Sequence, residues 1–96
     1  MNTFIVMYDI ADSKRLRYVH KTMKGFGDAI QYSVFRCVLS PRNYQILLGR
    51  IRPLIKKDED SVMIINLGPY DGTWKDRIKL LGKKKKIEPE DKVFIF

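Results

Sequence analysis

The sequence is poor in residues that cross-link a chain or bind soft metals, with one cysteine, Cys37, and one histidine, His20. A lone cysteine closes no internal disulfide and a lone histidine founds no His-rich metal site, so any catalytic metal would rest on carboxylates. Long apolar runs are missing too. No segment approaches the roughly 20 residues that cross a bilayer. Met1-Asn2-Thr3-Phe4 lacks the basic start of a signal peptide. The expectation is a cytoplasmic protein with no membrane partner. Acidic residues are scarce, eleven against nineteen basic ones, for a formal charge of +8. On so small a body that charge gathers polyanions, which puts nucleic acid first among the partner classes. Surface-bound membrane helices join a basic face to a continuous apolar one, and no segment does so here.

What is present predicts one folded domain over residues 1–96. A hydrophobic share of 45% excludes a disordered chain, and 96 residues leave no room for a second core. Residues 3–9 (TFIVMYD) are apolar on both faces, as in a central strand, and end in a charge. Asp12 or Ser13 then stands where a helix cap belongs. Leu16, Val19, Met23 and Phe26 follow at helical spacing, and Gly25 and Gly27 offer a stop. The other face of that helix carries Lys14, Arg15, Arg17, Lys21 and Lys24. Residues 29–39 alternate without a turn signal and predict one long strand.

Ser40-Pro41 opens a second helix whose stripe is Tyr44, Leu47, Leu48, Ile51 and Ile55, and Pro53 should kink or end it near Arg52. Residues 61–67 make a further buried strand, broken by Gly68-Pro69. Trp74, Ile78 and Leu80 alternate with Lys75, Arg77 and Lys79, which suggests another strand, with a helical turn as the competing reading. Two strand–helix–strand units of this kind predict an α+β, ferredoxin-like βαββαβ fold. The apolar end, Val93-Phe94-Ile95-Phe96, would be an unpaired edge; residues 92–96 are therefore expected to cross to the sheet of a second copy in a symmetric homodimer.

Asp9 is the foremost chemical candidate, because a carboxylate ending a buried strand is held rigidly at the mouth of a loop. With Asp12 it could hold Mg²⁺, which accepts one or two carboxylates and keeps several waters; helix capping by Asp12 and loop amides around Asp9 are the structural alternatives. A single carboxylate is a poor basis for metal-dependent phosphodiester hydrolysis, and a dimer could bring two copies of Asp9 together in a shared metal site at its two-fold axis. Lys14, Arg15, Arg17, Arg77, Lys79, Lys83 and Lys84 are the candidate phosphate contacts, against a reading as solvated surface. His20 reads as an ordinary, partly exposed helix residue and Cys37 as core. The aromatic strand pattern of RNA-recognition modules is absent.

Tyr8-Asp9-Ile10, Asp12, the basic residues through Arg17, Val19, a glycine at 25 or 27, and above all Gln31-Tyr32-Ser33-Val34-Phe35 resemble the CRISPR-associated protein Cas2 family. Asp60-Ser61-Val62, Leu67-Gly68 and Leu81-Gly82 fit the same pattern. The resemblance implies a homodimer with crossed C-terminal strands. It also implies a role between two dimers of the Cas1 integrase, holding double-stranded DNA for spacer acquisition. For some members it implies a metal-dependent endonuclease on RNA or DNA, with Asp9 binding Mg²⁺ and Tyr8, Asp12, Ser33 and Phe35 at motif positions nearby. The ribonuclease toxins of virulence-associated protein D type, similar in fold and in the strand-end aspartate, are the alternative.

Overall fold

Asn2–Asp9 (β1) runs through the middle of the sheet because both of its faces are apolar: Phe4, Val6 and Tyr8 point to one side and Ile5 and Met7 to the other. The structure, a computed structural model, describes residues 1–73 and 77–82. Ser13–Lys24 (α1), Asp28–Gln31 (β2), Val34–Leu39 (β3), Pro41–Ile51 (α2) and Ser61–Pro69 (β4) follow. The sheet order is β2-β3-β1-β4, all neighbours antiparallel, which is the split βαβ arrangement expected from the sequence.

Both helices start as their sequences direct. The Asp12 carboxylate accepts from the Arg15 amide at 2.9 Å, and the Ser40 hydroxyl accepts from the Asn43 amide at 3.1 Å with Pro41 in the first turn. Val19 and Met23 of α1 and Leu47 and Ile51 of α2 bury against Val6, Phe35, Cys37 and Leu39 to make the main core. Tyr44 stacks on Phe4 with ring centroids 4.6 Å apart. Pro53 acts as expected: α2 stops at Ile51, and a 3-10 turn, Arg52–Leu54, takes over.

The structure corrects three expectations. Residues 61–67 are not a buried strand ended by Gly68-Pro69: β4 runs on through Pro69, stands last in the sheet order among the described residues, and leaves Met63 and Ile65 exposed. Residues 29–39 are not one strand but a hairpin, β2 and β3, joined through Tyr32 and Ser33. Neither residue adopts positive φ; instead the β2–β3 register slips between Ala29 and Gln31, so β2 carries an extra residue that helps the chain reverse. That hairpin supplies the second and third strands of βαββαβ, leaving no vacancy in it for a strand over 74–80. Of that segment 74–76 lie outside the described residues, and 77–80 pair with no strand: Ile78 and Leu80 join Met7, Val34 and Leu67 in packing against Ile5 and Ile30 on the second sheet face. The expected lysine run at 83–86 and the crossing strand at 92–96 also lie outside the described residues.

Candidate functional site

The register of the two central strands fixes where Asp9 stands. It is the last residue of β1, opposite Ser61, the first of β4, and it is exposed where the sheet opens into the loop before α1. Its carboxylate has no hydrogen-bond or ion-pair partner among the described residues. A rigidly mounted, unengaged carboxylate suits a hard cation that brings its own water.

The two acids nearest in the fold are committed elsewhere. Asp12 gives one carboxylate oxygen to the α1 cap, and the Arg15 amide holds its pKa below the usual carboxylate range. Asp60 is buried and fully hydrogen-bonded. One of its oxygens accepts from the Ala11 amide at 2.9 Å, and the other from the Lys56 amide at 2.8 Å and Arg15 Nε at 2.9 Å. The Arg15 guanidinium, then the Lys56 and Ala11 amides, hold the Asp60 carboxyl well below its usual range in spite of burial. Because Ala11 belongs to the loop that leaves Asp9, Asp60 ties that loop to the start of β4. Arg15 also reaches Glu59 at 3.1 Å, so the residue expected at phosphate is an internal strut.

Tyr8 and Phe35 point away from Asp9, into the core. Phe35 is fully buried and lies against Tyr8, ring centroids 6.2 Å apart. The Tyr8 hydroxyl meets His20 Nδ1 at 2.9 Å and donates weakly to the Tyr32 carbonyl at 3.5 Å, while burial pushes the phenol well above its ordinary pKa. The Tyr8 amide donates to the Ser33 carbonyl at 3.1 Å, so Ser33 acts here through its backbone, locking the hairpin turn to β1. His20 is therefore more than the surface residue expected: its ring is pinned by Tyr8, edge-on to Phe35 at 5.4 Å and tilted against Tyr32 at 5.7 Å.

Of the remaining basic candidates, Lys14 and Arg17 are exposed in the first turns of α1, with no ion-pair partner among the described residues. Arg77 donates to the Leu67 carbonyl at 2.9 Å, and Lys79 is exposed beside it; Lys83 and Lys84 lie outside the described residues. Cys37 is core as expected, its thiol pushed up to about 12 by burial. The role of Asp60 was missed; its signals in the sequence are a carboxylate placed directly before a strand and its place in the Asp60-Ser61-Val62 run of the family pattern. No helix among the described residues is long and apolar enough to cross a membrane.

The comparisons with known proteins converge on one family. The model of the family "CRISPR associated protein Cas2" matches residues 1–73. The CRISPR-associated endoribonuclease Cas2 1 of Rhodospirillum rubrum is 43% identical over 70 residues, covering 73% of this chain and 69% of that protein. The CRISPR-associated endoribonuclease Cas2 of Thermus thermophilus is 34% identical over 88 residues, covering 90% and 92%. The crystal structure of Streptococcus pyogenes Cas2 at pH 6.5 superposes with a TM-score of 0.72 at 28% identity, covering 83% of this chain and 99% of that one. The virulence-associated protein D alternative is not favoured by these matches. With a family model over residues 1–73, relatives at 34–43% identity and a sheet order that agrees with the expected fold class, the chain belongs to the Cas2 family of CRISPR-associated proteins.

Proposed function

We propose that this protein is a homodimeric scaffold that grips double-stranded DNA and presents it to the Cas1 integrase during spacer acquisition. The observation that carries the reading is the pair of exposed cations, Lys14 and Arg17, in the first turns of α1 on a body of net charge +8. Unpaired cations can each neutralise a phosphate and release a counterion, whereas Arg15, held by Asp60 and Glu59, cannot. The dimer is supported by β4, which has a neighbour on one side only among the described residues and displays Met63 and Ile65, 60% and 41% exposed, on the sheet face away from the helices. Binding of duplex DNA should weaken steeply with salt, and Lys14→Ala with Arg17→Ala should lower the log–log slope by about 1–2. A salt-independent affinity would leave a protein partner as the whole function.

A second reading, a Mg²⁺-dependent endonuclease on RNA or DNA, is favoured by the unengaged Asp9 and by the relatives named as endoribonucleases. The residues fit the ion: Asp9 from each protomer of the dimer would hold it, since Asp12 and Asp60 are occupied within the protomer. When bound, Mg²⁺ supplies positive charge to a phosphodiester and its attacking water. Asp9 would hold the ion at the strand end, and the Asp60–Ala11 bond holds the loop through which a nucleic acid would approach. Incubation of labelled duplex DNA and single-stranded RNA with Mg²⁺ or chelator tests it. Metal-dependent cleavage lost in Asp9→Asn, with duplex binding retained, establishes the nuclease; intact substrate under all conditions removes it and leaves the scaffold.

A further inference from the structure

The hairpin turn and α1 enclose a half-open cleft of about 240 Å³, lined by Ser13, Leu16, Arg17, His20 and Tyr32. Positions 13, 16, 17 and 20 fall on one stripe of the helix, so the cleft runs along two turns of α1 with Tyr32 as its facing wall. Three of its features differ from ordinary surface. Tyr32 is 63% exposed although it sits in a tight turn, and its hydroxyl has no partner among the described residues. Beside it His20 is held by the Tyr8 hydroxyl and Phe35, so this part of the wall is rigid and aromatic. On the helix side Arg17 is exposed with no ion pair among the described residues, in contrast to Arg15 two residues earlier.

We infer that this cleft binds one unpaired nucleotide, its base laid on Tyr32 and its phosphate drawn to Arg17, with the Ser13 hydroxyl available to the sugar or base edge. The size decides between ligand classes: the cleft is below the roughly 300 Å³ at which pockets for drug-sized molecules begin, and takes one ring system rather than an extended ligand. The chemistry decides the rest. An exposed aromatic ring beside a guanidinium suits a planar ring that carries an anion on a short arm, and any base will do because every base has a stacking face. Bases inside a duplex are stacked on each other and do not enter, so the site selects single-stranded segments and frayed ends over the duplex that the basic surface holds. It rests on the nucleic-acid reading proposed above and adds to it a preference for strand form.

The test is fluorescence anisotropy with a short oligothymidylate, the same strand built from abasic sites, and a duplex. Tyr32→Ala is expected to weaken oligothymidylate binding about tenfold, leaving duplex and abasic-strand binding within about twofold of native. Tyr32→Phe retains the ring and should bind all three as the native protein does. Arg17→Ala should weaken all three, since each carries phosphate. Tyr32 is exposed, so its variants keep the fold, which a thermal melt verifies. Equal loss on all three probes, or no loss on any, in Tyr32→Ala overturns the stacking site while native duplex binding upholds the broader reading. Native protein that binds none of the probes overturns both.

Discussion

Alanine at Gly27 and at Gly49 is the same substitution with opposite expected signs. A Cβ on Gly27 would stand 2.2 Å from the Arg36 carbonyl oxygen, 2.6 Å from Cys37 Sγ and 2.9 Å from the Arg36 carbonyl carbon. Favourable contact between heavy atoms lies near about 3.5–4.0 Å, so relief needs a shift of more than an ångström. β3 has nowhere to go: Arg36 is paired with Ile5 of β1 on one side and Asp28 of β2 on the other, and Cys37 is fully buried. Overfilling a packed core costs about 1–3 kcal/mol, occasionally more, and the upper end applies where the obstacle is backbone rather than a pliable side chain. At Gly49, exposed inside α2, nothing lies within 4 Å of the added carbon, and alanine gains about 0.5–1 kcal/mol over glycine in a helix interior. With about 4–8 °C of melting temperature per kcal/mol for a domain of this size, Gly27→Ala should fall by 10 °C or more and Gly49→Ala should rise by about 2–8 °C. Melts must be run at one protein concentration, because assembly makes the midpoint concentration-dependent. A Gly27→Ala protein as stable as the native chain would refute the close seating of the α1–β2 connection on β3.

Three further substitutions probe the site's supports. The folded-state pKa of Asp60 is depressed, so its stabilisation is present above the ordinary carboxylate value and drains away as pH falls below about 4–5; the denaturation midpoints of native protein and Asp60→Asn should differ at pH 7 and converge in acid, and a gap constant with pH would contradict the clamp. Phe35→Ala should cost about 3–5 kcal/mol in urea unfolding, yet at temperatures where it is folded it should bind duplex DNA like the native protein; selective loss of binding would give Phe35 a direct role. Tyr8→Phe removes the hydroxyl that holds His20 and should cost about 0.5–1.5 kcal/mol, with a changed imidazole environment visible by NMR; an unaltered His20 signal would break the proposed coupling between β1 and the cleft wall.

Periodicity made the helices, their caps, β1 and the fold class legible, because each rests on local rules: Asp12 and Ser40 are capping residues at the head of amphipathic stretches, and β1 is apolar on both faces. The hairpin within 29–39 was not legible. Its turn uses Tyr32 and Ser33 without glycine, proline or positive φ, and a register slip does what turn residues usually do. The described part of the next segment, 77–80, misled for the converse reason. Ile78 and Leu80 alternate because they bury on the second sheet face, a pattern that pairing into a strand would also produce. Asp9 was legible as a position but its availability was not: only the contacts of Asp12 and Asp60 reveal that the neighbouring acids are spoken for. The same holds for Arg15 and Arg17, alike in sequence and opposite in use, since Asp60 comes from 45 residues away to bind the first.

The division of labour among these charges bears on how the site can act. Asp60 and Arg15 neutralise each other at the base of the Asp9 loop, which fixes the loop without adding net charge where a polyanion must approach. Asp9 is then the unengaged carboxylate presented at that end of β1, with the exposed, ionised cap Asp12 three residues on, and Lys14 and Arg17 are exposed positive groups in the turns that follow. A lone carboxylate is a weak ligand for Mg²⁺, so catalysis by one protomer is disfavoured and the closeness of two protomers becomes the controlling variable. DNA gripping needs no such closure, because each cation acts on its own phosphate. Scaffold and nuclease are thus not rival uses of the same residues. In the proposed dimer they would be two outputs, of which only the second would depend on how near the two copies of Asp9 come.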